Sequence, residues 1–221
     1  CTIAQIRAYK PQSSSLGCGQ VLHCPYTADK ARIVVQEMID GISLELVEKR
    51  LVTDQLVLTV GYDIENLTRP EIRKVYKGPV TTDRYGRRVP KHAHGTWNLP
   101  RATSSSSELL EAMAALYDKI VNPALLIRRM SLSACHVVNE KMAKEREQKE
   151  TFEQLDLFTD YAKKEAKEKE EQKKRERERR MQEALLTIKK KYGKNAVLRG
   201  MNFEEGATAK ERNGQIGGHQ A

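Results

Sequence analysis

The chain has 221 residues, with 39 Lys+Arg against 30 Asp+Glu and a formal net charge of +9. Hydrophobic residues make up only 39%, too few for one uniform core along the whole length. No stretch of ~18 apolar residues exists, which excludes a membrane-spanning helix and leaves no membrane role to assign.

Residues 1–12 (CTIAQIRAYKPQ) have no apolar signal-peptide core and no initiator Met, so they read as a tether inside a longer protein. Cys1, Cys18, Cys24 and Cys135 form no CxxC pair, the pattern of reduced thiols in a cytoplasmic protein. From Ser14 to Leu22 the short, Gly-broken run SSLGCGQVL predicts a strand. Thr27 is placed to cap a helix reaching about Lys49, whose Ala31, Val34, Val35, Met38, Ile42 and Leu46 share one face. Gln55 to Tyr62 predicts a second strand, with Leu56, Leu58, Val60 and Tyr62 on one side and Gln55, Val57, Thr59 and Gly61 on the other.

Residues 62–101 hold nine basic and four acidic side chains, so most of the net charge lies in this one stretch. Within it, a turn signal at Asp83–Gly86 between β-prone flanks predicts a protruding basic hairpin, an insertion over about residues 66–95. A concentrated positive patch calls for a polyanionic partner, with nucleic acid first. Residues 96–103 return as a strand, with Pro100 placing it near an edge or a strand end. Ser105 and Glu108 form an S-x-x-E capping box for a helix bearing Leu109, Met113, Leu116, Tyr117 and Ile120. Leu125 to Val138 predicts the last strand, with Met130, Leu132 and Ala134 opposite Arg129, Ser131 and Ser133.

The fold class is therefore α+β: a βαββαβ four-stranded antiparallel sheet over residues 13–138, with two helices on one face. The other face, with Thr59, Arg129, Ser131 and Ser133, is left small, polar and basic, which suits a phosphate backbone better than an apolar ligand. Residues 139–192 follow as a charged helical arm, 17 basic against 14 acidic from residue 140 on, which reads as a solvated helix. Residues 193–221 form a Gly-rich tail expected to be irregular. Inside the arm, Gln154-Leu155-Asp156-Leu157-Phe158 is an apolar island too small for a core, but the right size for an anchor in another protein's groove.

Several stretches resemble the little-finger domain of Y-family DNA polymerases, and more closely the bacterial UmuC or ImpB/MucB/SamB-like branch. They are SSLGCGQVL, LVTDQLVLTVGYD, TTDRYGRRVPKHAHGT, IRRMSLS and the ending from KYGKNAVLRGMNFEEG onward. The pentapeptide at residues 154–158 resembles the bacterial sliding-clamp-binding motif. The resemblance implies a lesion-bypass polymerase of DNA repair and the SOS response, acting in the cytoplasm, with primer–template DNA and the β sliding clamp as partners. Gln154, Leu155, Leu157 and Phe158 would bind the clamp. Arg128, Arg129, Ser14 and Ser15 would lie against DNA, joined on grounds of charge or position by Thr59, Ser131 and the hairpin's Arg84, Arg87, Arg88 and Lys91.

The family's palm signature, whose clustered carboxylates hold two Mg ions, is absent, so this piece is expected to be no enzyme alone and to need no cofactor. Asp63 and Glu65 form the nearest acidic pair, and turn polarity explains them. His92 and His94 have no companions at metal-ligand spacing, so no metal site is assigned. Two other classes compete: an RRM-like RNA-binding module, which shares the βαββαβ order but needs stacking aromatics, and a non-enzymatic clamp-associated adaptor.

Overall fold

The structure is a computed structural model and describes residues 2–8, 14–83, 85–150, 161–216 and 219–220. A short helix α1 (Ile3–Ala8) comes first, then β1 (Leu16–Tyr26), α2 (Ala28–Lys49) and β2 (Leu51–Tyr62). Between β2 and the next long strand lie α3 (Glu65–Thr68), α4 (Pro70–Val75) and the strands β3 (Val80–Thr82) and β4 (Arg88–Pro90). The frame resumes with β5 (Ala93–Thr103), α5 (Ser106–Ile120), β6 (Ile127–Cys135) and β7 (Val138–Asn139). Beyond it lie α6 (Glu140–Glu150), α7 (Tyr161–Tyr192), a 3-10 turn at Gly200–Phe203, α8 (Ala209–Arg212), β8 (Gln215–Ile216) and β9 (His219–Gln220).

The fold is α+β with an antiparallel main sheet in the order β1-β6-β2-β5, and β7 adds to β2. Helices α2 and α5 pack against each other and against the sheet face carrying Leu56, Leu58, Val60, Met130, Leu132 and Ala134. Leu58 and Leu132 are register partners at the sheet centre, both fully buried. Truncating either to Ala there removes about 2–5 kcal/mol, because the surroundings cannot collapse into the gap. Helix α2 stops at Arg50, whose left-handed backbone (φ 55) lets its N–H bond Leu46 O and Val47 O before β2 starts at the next residue.

Ser105 caps α5 as its sequence requires, accepting a hydrogen bond from Glu108 N. The Glu108 carboxylate, however, turns to the guanidinium groups of Arg101 and Arg175. The hairpin forms at the expected turn: Asp83 N donates to Arg87 O, Gly86 N donates to Asp83 O, and Gly86 takes the positive φ of 79°.

The sequence predicts a solvated arm and an irregular tail; from residue 169 on α7 is a mostly exposed helix but docks along one side, and the tail carries short helical turns and packs on the domain. Gln182 of α7 is buried, donating to Ser104 O and Ser106 Oγ at 3.1 and 3.0 Å. The tail packs on α2, where the buried carboxylate of Glu37 accepts from Asn202 Nδ2, Thr208 N and Ala209 N at 2.8, 2.8 and 3.0 Å. Nearby, burial pushes the Asp40 carboxyl up, opposed by the Arg199 guanidinium 2.7 Å away. Polar side chains do this docking, so apolar periodicity did not announce it.

Candidate nucleic-acid interface

The sheet face away from α2 and α5 is built row by row from the strand register. Gly19, Ser131, Thr59 and His94 form one row across β1, β6, β2 and β5. Gly17, Ser133, Val57 and Thr96 form the next, while Val21, Arg129 and Gly61 form the row on the other side. Period-two alternation puts these residues together, because their neighbours along each strand are committed to the core. The result is a face mostly of glycines and short hydroxyls, with His94, Val57 and the exposed Val21 among them and a guanidinium at one end, over which a sugar–phosphate backbone can come close.

Thr59 Oγ1 and His94 Nδ1 are hydrogen-bonded at 2.9 Å, and Gln55 Nε2 donates to Asn98 Oδ1 at 2.9 Å. Both are cross-strand pairs that fix polar groups without consuming the remaining lone pairs and protons of the face. Arg129 is exposed and forms no ion pair among the described residues. Its side chain runs across Gly61, where a Cβ would stand 2.6 Å from Arg129 Cγ.

Arg128 sits differently. The register passes from Tyr62–Ile127 to Gly61–Arg129, so Arg128 is the extra residue of a β-bulge. The bulge turns two consecutive arginines away from the core, and Arg128 Nε lies 3.7 Å from Asp63 Oδ2. Asp63 is buried and also accepts from Glu65 N at 2.8 Å, while Glu65 pairs with Arg69. These two carboxylates therefore hold the turn after β2. Asn66, fully buried, bonds Asp63 O and both the N–H and C=O of Leu126, tying that turn to the start of β6.

The β3–β4 hairpin packs through β4 on α3 and β2, and the charge of Asp63 reaches Arg87 as well as Arg128. Arg88 and Lys91 are exposed on it. Arg87 is partly spent inside the turn, with Nε donating to Asp83 Oδ2 at 2.9 Å and its guanidinium 5.1 Å from the Tyr85 ring centre. Ser14 and Ser15 are exposed just before β1, and Ser14 O accepts from Val137 N.

Arg84 and the residues expected to bind the clamp, Gln154, Leu155, Leu157 and Phe158, lie outside the described residues. The structure thus gathers Thr59, Arg129 and Ser131 on one surface, sets Arg128 beside it, and puts Arg87, Arg88 and Lys91 on the hairpin.

Sequence reasoning assigned no part to Gly61, whose missing side chain seats Arg129; the gap in an otherwise polar-and-β-branched strand is its only mark. Trp97 faces the helices, packed against the core. An RRM-like platform stacks bases on aromatics of two central strands. Here the central strands β6 and β2 present Arg129, Ser131, Ser133, Cys135, Gln55, Val57, Thr59 and Gly61 on the open face, none of them aromatic. Burial pushes the Cys18 thiol up to about 11, so it stays protonated on the opposite, helix-covered face. Among the described residues no group of three or more His, Cys, Asp or Glu is placed to hold a metal ion, and no helix is long and apolar enough to cross a membrane.

No family model and no curated protein matches the chain. Among solved structures it is similar to one described as a complex of beta-clamp processivity factor and little finger domain of PolIV. The TM-score is 0.37 and the identity 9%, over 66% of this chain and 100% of that chain. The likeness is a distant one.

Proposed function

We propose that this chain is the DNA-binding accessory part of a lesion-bypass DNA polymerase, holding primer–template DNA by its backbone and docking on the bacterial β sliding clamp through residues 154–158. The observation that carries the reading is the open sheet face: Gly, Ser and Thr in register rows, ended by the exposed Arg129 and bordered by a basic hairpin. Such a surface makes phosphate contacts, which give sequence-independent affinity. The sequence resemblance to the UmuC-like little finger and the QLDLF segment add the polymerase and the clamp. On this reading the metal-binding carboxylates and two Mg ions belong to a palm elsewhere in a longer polypeptide, and the clamp peptide raises the local concentration of the DNA-binding face.

Titration of the full chain against fluorescent primer–template DNA over a salt series tests it. Arg129→Ala should weaken binding on all sequences and flatten the log–log salt slope by about 0.9, one phosphate contact. Arg128→Ala should do less, because Asp63 already offsets part of its charge. An unchanged slope for both removes the sheet face from the proposal. Leu157→Ala with Phe158→Ala should abolish clamp binding and leave DNA affinity intact; clamp binding retained by that variant removes the peptide assignment.

A further inference from the structure

Helix α7 uses one side to hold the domain. Gln182 is buried there, Glu178 bonds Ser105 and Ser107, and Lys190 Nζ lies 2.8 Å from Glu48. About a quarter turn round the helix, Met181, Leu185, Ile188 and Tyr192 follow at spacings of four, three and four, one straight line about 16 Å long. Met181 is 53% exposed, Ile188 37% and Tyr192 67%, with Leu185 half-buried. Arg177, four residues before Met181, and Lys191, three after Ile188, flank this line, both exposed. Arg177 makes no ion pair among the described residues, and the Lys191 ammonium stands 5.1 Å from the Tyr192 ring centre. Glu183, the nearest acid in sequence beyond the docked Glu178, points to the far side and pairs with Arg179 at 3.1 Å.

We infer that this stripe of α7 docks into an apolar groove, rimmed by Asp and Glu, on another protein. Three turns of aligned apolar side chains at i, i+4, i+7 and i+11 match the anchor pattern of a helix laid in a groove. Exposed Met and Tyr are the side chains that such interfaces concentrate. The flanks select the partner. On the side away from the domain the flanking charges are basic, so an acidic rim is attracted and steered to them.

Nucleic acid satisfies the flanks but offers no apolar surface for Met181, Leu185 and Ile188. A second copy of this chain brings a further net +9 and the same basic flanks, so like charges meet. A bilayer needs the sides of the helix free to sink, and the side next to the stripe is packed on the domain. The inference uses no residue of the nucleic-acid face and stands or falls apart from it.

The test places a photo-crosslinking amino acid at residue 188, or at exposed Thr187 as control, in the full chain expressed in its native host. The expected result is that residue 188 and not residue 187 cross-links to one protein, in a segment that combines apolar residues with Asp or Glu. That protein, purified, should then bind the full chain. Ile188→Glu, and separately Arg177→Glu with Lys191→Glu, should each weaken the binding at least tenfold, while circular dichroism stays that of the parent. Cross-links to DNA, to lipid, to a second copy or to another part of the same polypeptide overturn the inference. So does equal labelling from residues 187 and 188, no labelling at all, or a partner whose binding ignores the substitutions.

Discussion

Arg129 lies across Gly61, its register partner on the neighbouring strand, so closely that a Cβ at residue 61 would stand 2.6 Å from Arg129 Cγ and 2.8 Å from its Nε. The contact is with the root of the arginine side chain, so a methyl group there must displace the whole guanidinium. Gly61→Ala gains strand entropy from the unfolded state, and stability should change by less than about 1 kcal/mol. The expected loss is in binding: several-fold weaker DNA affinity, with the salt slope moving toward that of Arg129→Ala. In an Arg129→Ala background the same Gly61→Ala change should do nothing more, since the two act through one contact. Additive losses in that cycle would mean Gly61 serves the interface by some other route.

Glu37 is the buried hub of the tail. One oxygen accepts from Asn202 Nδ2, and the other from Thr208 N, Thr208 Oγ1 and Ala209 N. Glu37→Ala strands two backbone N–H groups at a buried site, a loss of about 2–3 kcal/mol. For a chain of this size that lowers Tm by about 5–10 °C. Glu37→Gln keeps one accepting oxygen and can serve only one of the two sets of donors, so its loss should be smaller. Amide exchange should speed up at Thr208 and Ala209 before it does in β2. A uniform rise through the sheet would show that the substitution damages the core and does not release the tail.

The elements written by simple periods were legible in the sequence. Leu56, Leu58, Val60 and Tyr62 alternate, and they face the helices; Val34, Val35, Met38 and Ile42 recur at helical spacing, and they are buried. The Asp83–Gly86 turn was legible because Asp and Gly each have a local reason to be there. The bulge at Arg128 was not, since an extra strand residue carries no compositional mark. Glu37 was passed over for a related reason: it interrupts an apolar helix face, but its donors stand more than 160 residues further along. The docking of α7 escaped because its contact residues, Glu178, Arg179 and Gln182, look like the rest of a charged run.

Asp83 gives the hairpin a pH dependence whose sign is fixed by its bonds. The backbone N–H of Arg87, then its guanidinium and the Tyr85 N–H, hold the Asp83 carboxyl below its ordinary value of 3.8. The ionised form is the one the folded turn favours. Its contribution is therefore present above the unfolded-state value and disappears as pH falls through the lower folded-state value. The amide resonances of Tyr85 and Arg87 should hold steady from neutral pH and shift with a midpoint below 3.8. Asp83→Asn should remove that titration and loosen the turn at neutral pH. A midpoint at or above the ordinary value would contradict the bonding described.

Glu178 closes the amino end of α5 from another helix. Its carboxylate accepts from Ser105 Oγ at 2.6 Å, Ser107 N at 2.8 Å and Ser107 Oγ at 2.9 Å, where the partial positive charge of the helix end favours an anion. One turn on, Gln182 donates to Ser104 O and Ser106 Oγ, and Arg179 reaches Ser104 Oγ at 3.1 Å and Glu140 at 3.3 Å. Four neighbouring serines thus serve as the latch plate for α7. Glu178→Ala should remove about 1 kcal/mol, and Gln182→Ala a further comparable amount by leaving Ser104 O without its buried donor. The pair together should accelerate amide exchange over residues 175–190 by about tenfold or more, since 1.4 kcal/mol corresponds to a factor of ten, while the amides of β2 and β6 keep their protection. Glu178→Gln, which keeps an acceptor but loses the charge, should fall between parent and Ala. Exchange that stays slow in α7 of the double variant would mean that the arm is held by its apolar contacts alone.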